Sequence, residues 1–262
     1  MRENLKKVFE KIEMPLLRIL SKMEKRGIAI DRDKLIEFKD KVQKDIRLRE
    51  DEIYKIAGGK LNLNSNNEVG NLLFQKLKLG SNKTKKTPKG KLSTNEEVLS
   101  GLISEHSIVS YILLYRELYK LMSTYIKPIL DLCNKDGRLR TTFVQSGAAT
   151  GRLSSQNPNL QNIPIGNKLA DELRKTFFPT KGFSFASFDY SQLELRILAI
   201  LTEDAKMIEA FKRGDDIHAI TASTVLQVSL NEVTPEMRRL AKTLNFGMIY
   251  GMGFRAFAKS AG

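Results

Sequence analysis

Apolar residues recur at three- and four-residue intervals through the first half of this 262-residue chain. Leu5, Val8, Ile12, Leu16, Ile19 and Met23 mark one face of a helix over residues 3–26, and Gly27 is placed to close it. Asp31 then stands as N-cap of a second, highly charged helix over residues 32–56, whose apolar face carries Leu35, Phe38, Val42, Ile46 and Ile53 and which stops at Gly58-Gly59. Ser65 with Glu68 makes a capping-box pattern ahead of Val69, Leu72, Leu73 and Leu77. Thr94 with Glu97 repeats that pattern and predicts one long helix to about Lys127. Between these arms, residues 81–95 hold Lys83, Lys85, Lys86, Lys89 and Lys91, no acid, and a turn signal at Pro88-Lys89-Gly90.

After Pro128 the periodicity changes. Residues 138–144 and 176–189 are rich in β-formers, and Gly, Ser, Asn and Pro cluster between them. Phe183, Phe185, Ser187 and Asp189 share one parity of the second stretch, so a strand would send them to the same face. From Ser191 the pattern turns helical through Leu193, Ile197 and Leu201. Residues 204–262 continue as helix, with Thr234-Pro235-Glu236 supplying an N-cap, a proline at the first helical position and an early acid.

Charge narrows the class of partner. Lys and Arg outnumber Asp and Glu by 44 to 30, a net charge of +14, which suits a polyanion unless the cations are simply spread over the surface. The single cysteine, Cys133, excludes an internal disulfide and a thiolate zinc site. The start, Met1-Arg2-Glu3-Asn4-Leu5-Lys6-Lys7, has no apolar signal region, and the run Ile197 to Leu201 is too short to span a bilayer. These features predict a soluble, cytoplasmic protein with no membrane partner.

Two blocks carry the chemistry: Asp189-Tyr190-Ser191-Gln192-Leu193-Glu194-Leu195-Arg196, and the stretch from Arg238 to Gly251. In the second, Arg238, Lys242, Phe246 and Tyr250 follow each other at four-residue steps, drifting about 120° around a helix over roughly 18 Å. That is the length of a nucleotide, with two cations for phosphates and two rings for sugar and base. The spacing fits equally an amphipathic helix with solvated cations. Asp189, where a strand gives way to a helix, can hold Mg²⁺ or can serve as a helix N-cap.

The two blocks resemble motifs A and B of the family A DNA polymerases. The resemblance continues through Thr150-Gly151-Arg152-Leu153-Ser154-Ser155 and Asn157-Pro158-Asn159-Leu160-Gln161-Asn162-Ile163-Pro164 to Asp216-Ile217-His218. In the first half it includes Leu63-Asn64-Ser65 and Tyr115-Arg116-Glu117-Leu118, so it covers nearly the whole chain. It implies an α+β, right-hand polymerase fold: a palm-associated helix over 1–27, a helical thumb over 28–130, a partial antiparallel palm sheet over 131–195, and the beginning of helical fingers over 196–262. It implies template-directed DNA synthesis in replication and repair, moving a nucleotidyl group from a deoxynucleoside triphosphate to a primer 3′-OH.

Residue by residue, the resemblance makes Asp189 a ligand of both Mg²⁺ ions of a two-metal mechanism, with the Tyr190 carbonyl on one of them. Gln192, His218, Arg238 and Lys242 would contact the incoming nucleotide, Arg238 and Lys242 acting on its transferring phosphate. Glu194 and Tyr250 would close the space beside the sugar 2′ carbon, and Phe246 would pack on the sugar. A Phe there, lacking a phenol hydroxyl, implies discrimination against dideoxynucleotides. Arg152, Asn159, Gln161 and Asn162 would meet primer–template DNA near the primer end. Lys83, Lys85 and Lys86, with Arg116 and Lys120, would lie along duplex phosphates. His106 has no motif around it and reads as incidental.

The match breaks at one place. The family carries a second metal-binding aspartate in a later His-Asp hairpin, motif C, whereas the two histidines here, His106 and His218, precede no Asp. The expectation is a fragment, incomplete at its carboxyl end, without a preceding exonuclease, lacking the second metal's main anchor and weakly active or inactive alone. A separate carboxyl-terminal polymerase fragment could supply the missing motif. The rival expectations are a non-catalytic primer–template-binding module, which would not need Asp189 or Glu194, and a single-subunit RNA polymerase, which Glu194 disfavours.

Overall fold

The structure, a computed structural model, describes residues 2–80, 93–133, 135–253 and 256; the lysines at 83, 85 and 86 lie outside the described residues. The chain divides into two compact units, Met1–Phe185 and Ala186–Gly262.

In the first unit the charged helix spans Arg32–Ala57. Asp31 caps it by accepting from the Lys34 amide, and Gly58, left-handed at φ 72°, ends it. Leu35, Phe38, Val42, Ile46 and Ile53 are all buried. They pack against the helix Ser107–Lys120 and its continuations Leu121–Ile126 and Lys127–Leu132, which contribute Ile108, Val109, Ile112, Leu118, Met122 and Ile126. Each fully buried aliphatic side chain stabilises the pair by about 1.5–3 kcal/mol, so this seam is the main source of the unit's stability.

The long helix expected from Thr94 is broken. The cap is Asn95, which accepts from the Val98 amide, and the helix it opens, Glu96–Ser100, ends at Gly101. A new helix then starts at Ser107, capped by His106 Nδ1 accepting from Ile108 N at 3.1 Å. His106 is therefore a capping residue rather than incidental. Thr94 is drawn elsewhere: its hydroxyl donates to Asn66 Oδ1 at 3.0 Å. Arg116 joins the same knot, donating to Asn66 Oδ1 at 3.1 Å, to Thr94 Oγ1 at 3.3 Å and to the Thr94 carbonyl. Burial lowers its pKa. Arg116 thus ties Ser107–Lys120 to the segments around Asn66 and Thr94, while Lys120 is exposed.

The amino-terminal helix also forms, as Arg2–Val8, a π-helical turn Phe9–Glu13 and Met14–Arg26. Its apolar stripe is not a core face. Of this helix's described side chains only Leu20 is buried, while Leu5, Val8, Ile12, Ile19 and Met23 are exposed.

A short sheet follows that periodicity did not reveal. Ile28–Ile30 is its central strand, antiparallel to Arg138–Leu139 on one side and Phe177–Phe178 on the other, with Ile28 opposite Leu139 and Ala29 opposite Phe178. A second ladder pairs Thr142–Val144 with Ser154–Gln156. The strand expected to reach Asp189 stops at Phe178: residues 183–189 have no ladder partner among the described residues, and Phe183, Phe185 and Phe188 are exposed. A strand exists only through its neighbour's hydrogen bonds, which composition cannot supply.

Gly27 joins helix to sheet. It sits at φ 61°, and a Cβ there would meet the Leu139 carbonyl oxygen at 2.6 Å and Arg140 Cγ at 2.8 Å. Arg138 donates to the Gly27 carbonyl at 2.9 Å and Arg140 to that of Lys25 at 3.0 Å, satisfying carbonyls the helix end leaves open. Gly27→Ala should therefore lower the unfolding free energy by about 2–4 kcal/mol in urea denaturation, from backbone strain plus the clash.

The second unit is helical: Leu193–Leu201, Ala205–Arg213, Ile217–Leu226 and Pro235–Ile249. Thr234 caps the last of these, accepting from Met237 N at 3.2 Å, with Pro235 at its first position. Its buried face, Ala241, Leu244 and Asn245, packs on Ile217–Leu226, which leaves Arg238, Lys242 and Phe246 on another face.

Candidate functional site

The approach to Leu193–Leu201 turns at Gln192, whose φ of 51° is uncommon for a residue with a side chain. Gln192, not Asp189, is the N-cap of that helix, so the capping alternative for Asp189 falls away. Asp189, Tyr190, Gln192 and Glu194 instead line a cleft of about 440 Å³ together with His218, Arg238, Lys242 and Phe246. All eight belong to the second unit. Acidic and cationic side chains from separate segments thus border one space that can admit a polyphosphate.

The cleft has an ordered electrostatic frame. Asp216 caps the helix Ile217–Leu226, accepting from the amides of His218 at 2.9 Å and Ala219 at 3.3 Å. The same carboxylate accepts from Arg238 Nε at 2.5 Å and Gln192 Nε2 at 3.2 Å. Burial raises its pKa, but the hydrogen bond from Arg238, the Ala219 and His218 amides and the guanidinium charge outweigh it, and the net pKa lies below the usual aspartate value. Gln192 Oε1 is buried and has no hydrogen-bond partner among the described residues.

His218 is buried, and its Nδ1 lies 3.0 Å from Asn245 Nδ2. The amide nitrogen can only donate, which leaves Nδ1 as acceptor and the ring proton on Nε2. Burial lowers the His218 pKa; Asp216 opposes this, and the charges of Arg238 and Lys242 reinforce it. At neutral pH the ring is a neutral donor. His218, Phe246 and Tyr250 form a row, with ring centroids 5.7 Å and 6.5 Å apart. Tyr250 closes the helix, and its hydroxyl donates to Glu194 Oε2 at 3.0 Å, tying the row's far end to the acidic wall.

The remaining candidates lie in the first unit. Arg152 is exposed after the Gly151 turn. Asn159 caps the short turn Leu160–Asn162, accepting from Gln161 N at 3.0 Å and from Ser155 Oγ at 3.1 Å. Gln161 donates to the Leu153 carbonyl at 3.0 Å, and the Asn162 carbonyl accepts from Tyr125 at 2.7 Å. Two of these amides thus hold their own loop.

The model of the family described as DNA polymerase family A matches residues 32–262. The chain belongs to DNA polymerase family A. Similar proteins include DNA polymerase I of Caldicellulosiruptor bescii, 46% identical over 253 residues that make up 96% of this chain and 29% of that protein. The thermostable DNA polymerase I of Thermus thermophilus is 46% identical over 252 residues, 95% of this chain and 30% of that protein. Among solved structures, the POL domain of Pol1 from M. smegmatis in complex with DNA primer-template and dNTP superposes with a TM-score of 0.88 at 37% identity, covering 97% of this chain and 44% of that one. This family A chain therefore spans about 30% of the length of the curated relatives it matches.

Two residues that hold cleft-lining side chains in place, Asp216 and Asn245, had no role assigned from sequence. Asp216 was visible only as part of a matching block. Asn245 orients His218 and also donates to Thr221 Oγ1 at 3.1 Å. A buried asparagine on an otherwise apolar helix face is the one available signal, because a buried amide has to find partners.

Proposed function

We propose that the second unit grips a deoxynucleoside triphosphate for template-directed DNA synthesis, and that the first unit meets the primer–template. One observation carries this: Asp189 borders the same cleft as Arg238, Lys242, His218 and Phe246. Arg238 and Lys242 offer cationic donors to phosphate oxygens, His218 adds a neutral N–H, and Phe246 presents a ring to the sugar. Glu194, held by the Tyr250 hydroxyl, narrows the space beside the sugar 2′ carbon. The reaction is attack of a primer 3′-OH on the α-phosphorus: one P–O bond forms, the hydroxyl proton passes to water, and the bond from the α-phosphorus to the oxygen bridging it to the β-phosphorus breaks as pyrophosphate leaves. Arg238, Lys242 and His218 would hold the charge that builds on that leaving group.

The donor set fits Mg²⁺ as a partner of the nucleotide. Asp189, with the Tyr190 carbonyl, offers hard oxygen ligands beside the phosphate-gripping cations. Among the described residues no group of three or more His, Cys, Asp or Glu side chains could hold a metal ion alone. Asp189 would therefore bind the ion jointly with triphosphate oxygens. Bound there, Mg²⁺ would neutralise charge and polarise the reacting phosphate.

The test is titration of the chain with dATP and with deoxyadenosine. Tighter binding of dATP, weakened at high salt, is the expected result. Equal affinities would sink the proposal. Fluorescence anisotropy with a labelled primer–template then checks the first unit, and DNA binding without any dATP response would leave only a DNA-binding module.

A further inference from the structure

Asp216 stands where three cleft-forming segments meet. Its Oδ1 accepts from the His218 and Ala219 amides and from the Gln192 side chain, while Oδ2 accepts from Arg238 Nε. Arg238 lines the cleft, and Asp216 is joined to it through the Arg238 Nε hydrogen bond. Engagement through Nε matters because a guanidinium is a planar fork of five N–H donors. A carboxylate on the Nε edge fixes the tilt of the plane and leaves the terminal Nη amines directed elsewhere. A long flexible cation loses rotamer freedom when it binds an anion, and fixing it beforehand removes part of that loss.

We propose that Asp216 is a positioning residue for triphosphate binding, acting through Arg238 by holding its guanidinium on the Nε edge so that the two Nη amines face the phosphates. This rests on the triphosphate reading above. The carboxylate's own negative charge works against anion binding, but its ion pair with Arg238 offsets that charge. Orientation therefore outweighs repulsion, and loss of the carboxylate weakens binding rather than strengthening it.

Asp216→Asn separates the two roles of the side chain. One amide oxygen can still cap the helix, but the amide nitrogen then meets Arg238 Nε donor to donor. The experiment measures metal-free affinity of the chain for inorganic tripolyphosphate and for dATP by calorimetry. Asp216→Asn should bind both about tenfold more weakly, the scale of one charge-assisted hydrogen bond. Arg238→Ala should lose at least as much, and the double variant no more than Arg238→Ala alone. Arg238→Lys, which keeps the charge and drops the fork, should match the Asp216→Asn loss. Wild-type affinity in Asp216→Asn or Arg238→Lys, or losses that add fully in the double variant, would overturn the positioning role alone. Unchanged binding in both Arg238→Ala and Lys242→Ala would overturn the triphosphate reading and the positioning role with it.

Discussion

Asp189→Ala is expected to act in opposite directions on triphosphate binding, depending on magnesium. With chelator present, dATP should bind as well as to the wild type or slightly better. With millimolar Mg²⁺, the wild type should tighten and the variant should not, leaving the variant at least about tenfold weaker. The reason is the sign of the neighbours. Asp189 is an exposed carboxylate bordering the same cleft as Arg238 and Lys242. Facing a bare triphosphate it repels, by about 1 kcal/mol per unit charge at contact distances in water. Facing a magnesium-bound triphosphate it attracts. Calorimetry of both proteins, with and without Mg²⁺, reads the four affinities. An equal loss in both conditions would mean that Asp189 shapes the turn into Leu193–Leu201 and holds no metal.

The residues of that site were named by the resemblance to the family's motifs, because four-residue spacing alone fits an amphipathic helix equally well. Arg238, Lys242 and Phe246 border one cleft, whereas Tyr250, a further step along the drifting series, meets it through Glu194. Caps with local logic were legible: Asp31, Ser65 and Thr234 each accept the amide three residues on. What was illegible depends on distant partners. Thr94 has the local signature of a cap, yet Asn66 and Arg116 capture its side chain and Asn95 takes over. Ile28–Ile30 is too short to show a period and becomes a strand only because Leu139 and Phe178 flank it. Residues 183–189 carry the opposite lesson, since β-forming composition without a ladder partner stays irregular. Asp216 and Asn245 escaped for a related reason: they act by orienting Arg238 and His218, and only tertiary contacts reveal such a role.

Leu35→Ala is expected to destabilise the first unit by about 3–5 kcal/mol, the cost of a cavity at a site that cannot collapse. Leu35 is fully buried within the large cluster that joins Arg32–Ala57 to Ser107–Lys120, and its neighbours are anchored on two long helices. The second unit has much less to hold it. Its apolar cluster among the described residues has Leu195, Ala210 and Ile217 as its buried members, with Met207, Phe211, Ile220 and Ile249 half-covered around them. A small core gives marginal stability, and a ligand that binds only the folded form then matters in proportion. With Mg²⁺, dATP at a hundred times its Kd should stabilise the unit that grips it by about 2.7 kcal/mol. Scanning calorimetry should accordingly show a lower-temperature transition that dATP raises and Leu35→Ala leaves in place, and a higher one that Leu35→Ala lowers and dATP leaves in place. Lys242→Ala should remove most of the nucleotide-induced rise, because that rise measures the grip and not the core. A single transition moved by both perturbations would mean that the seam around Leu35 and the nucleotide cleft unfold together, and the cleft would then draw its rigidity from the first unit's core.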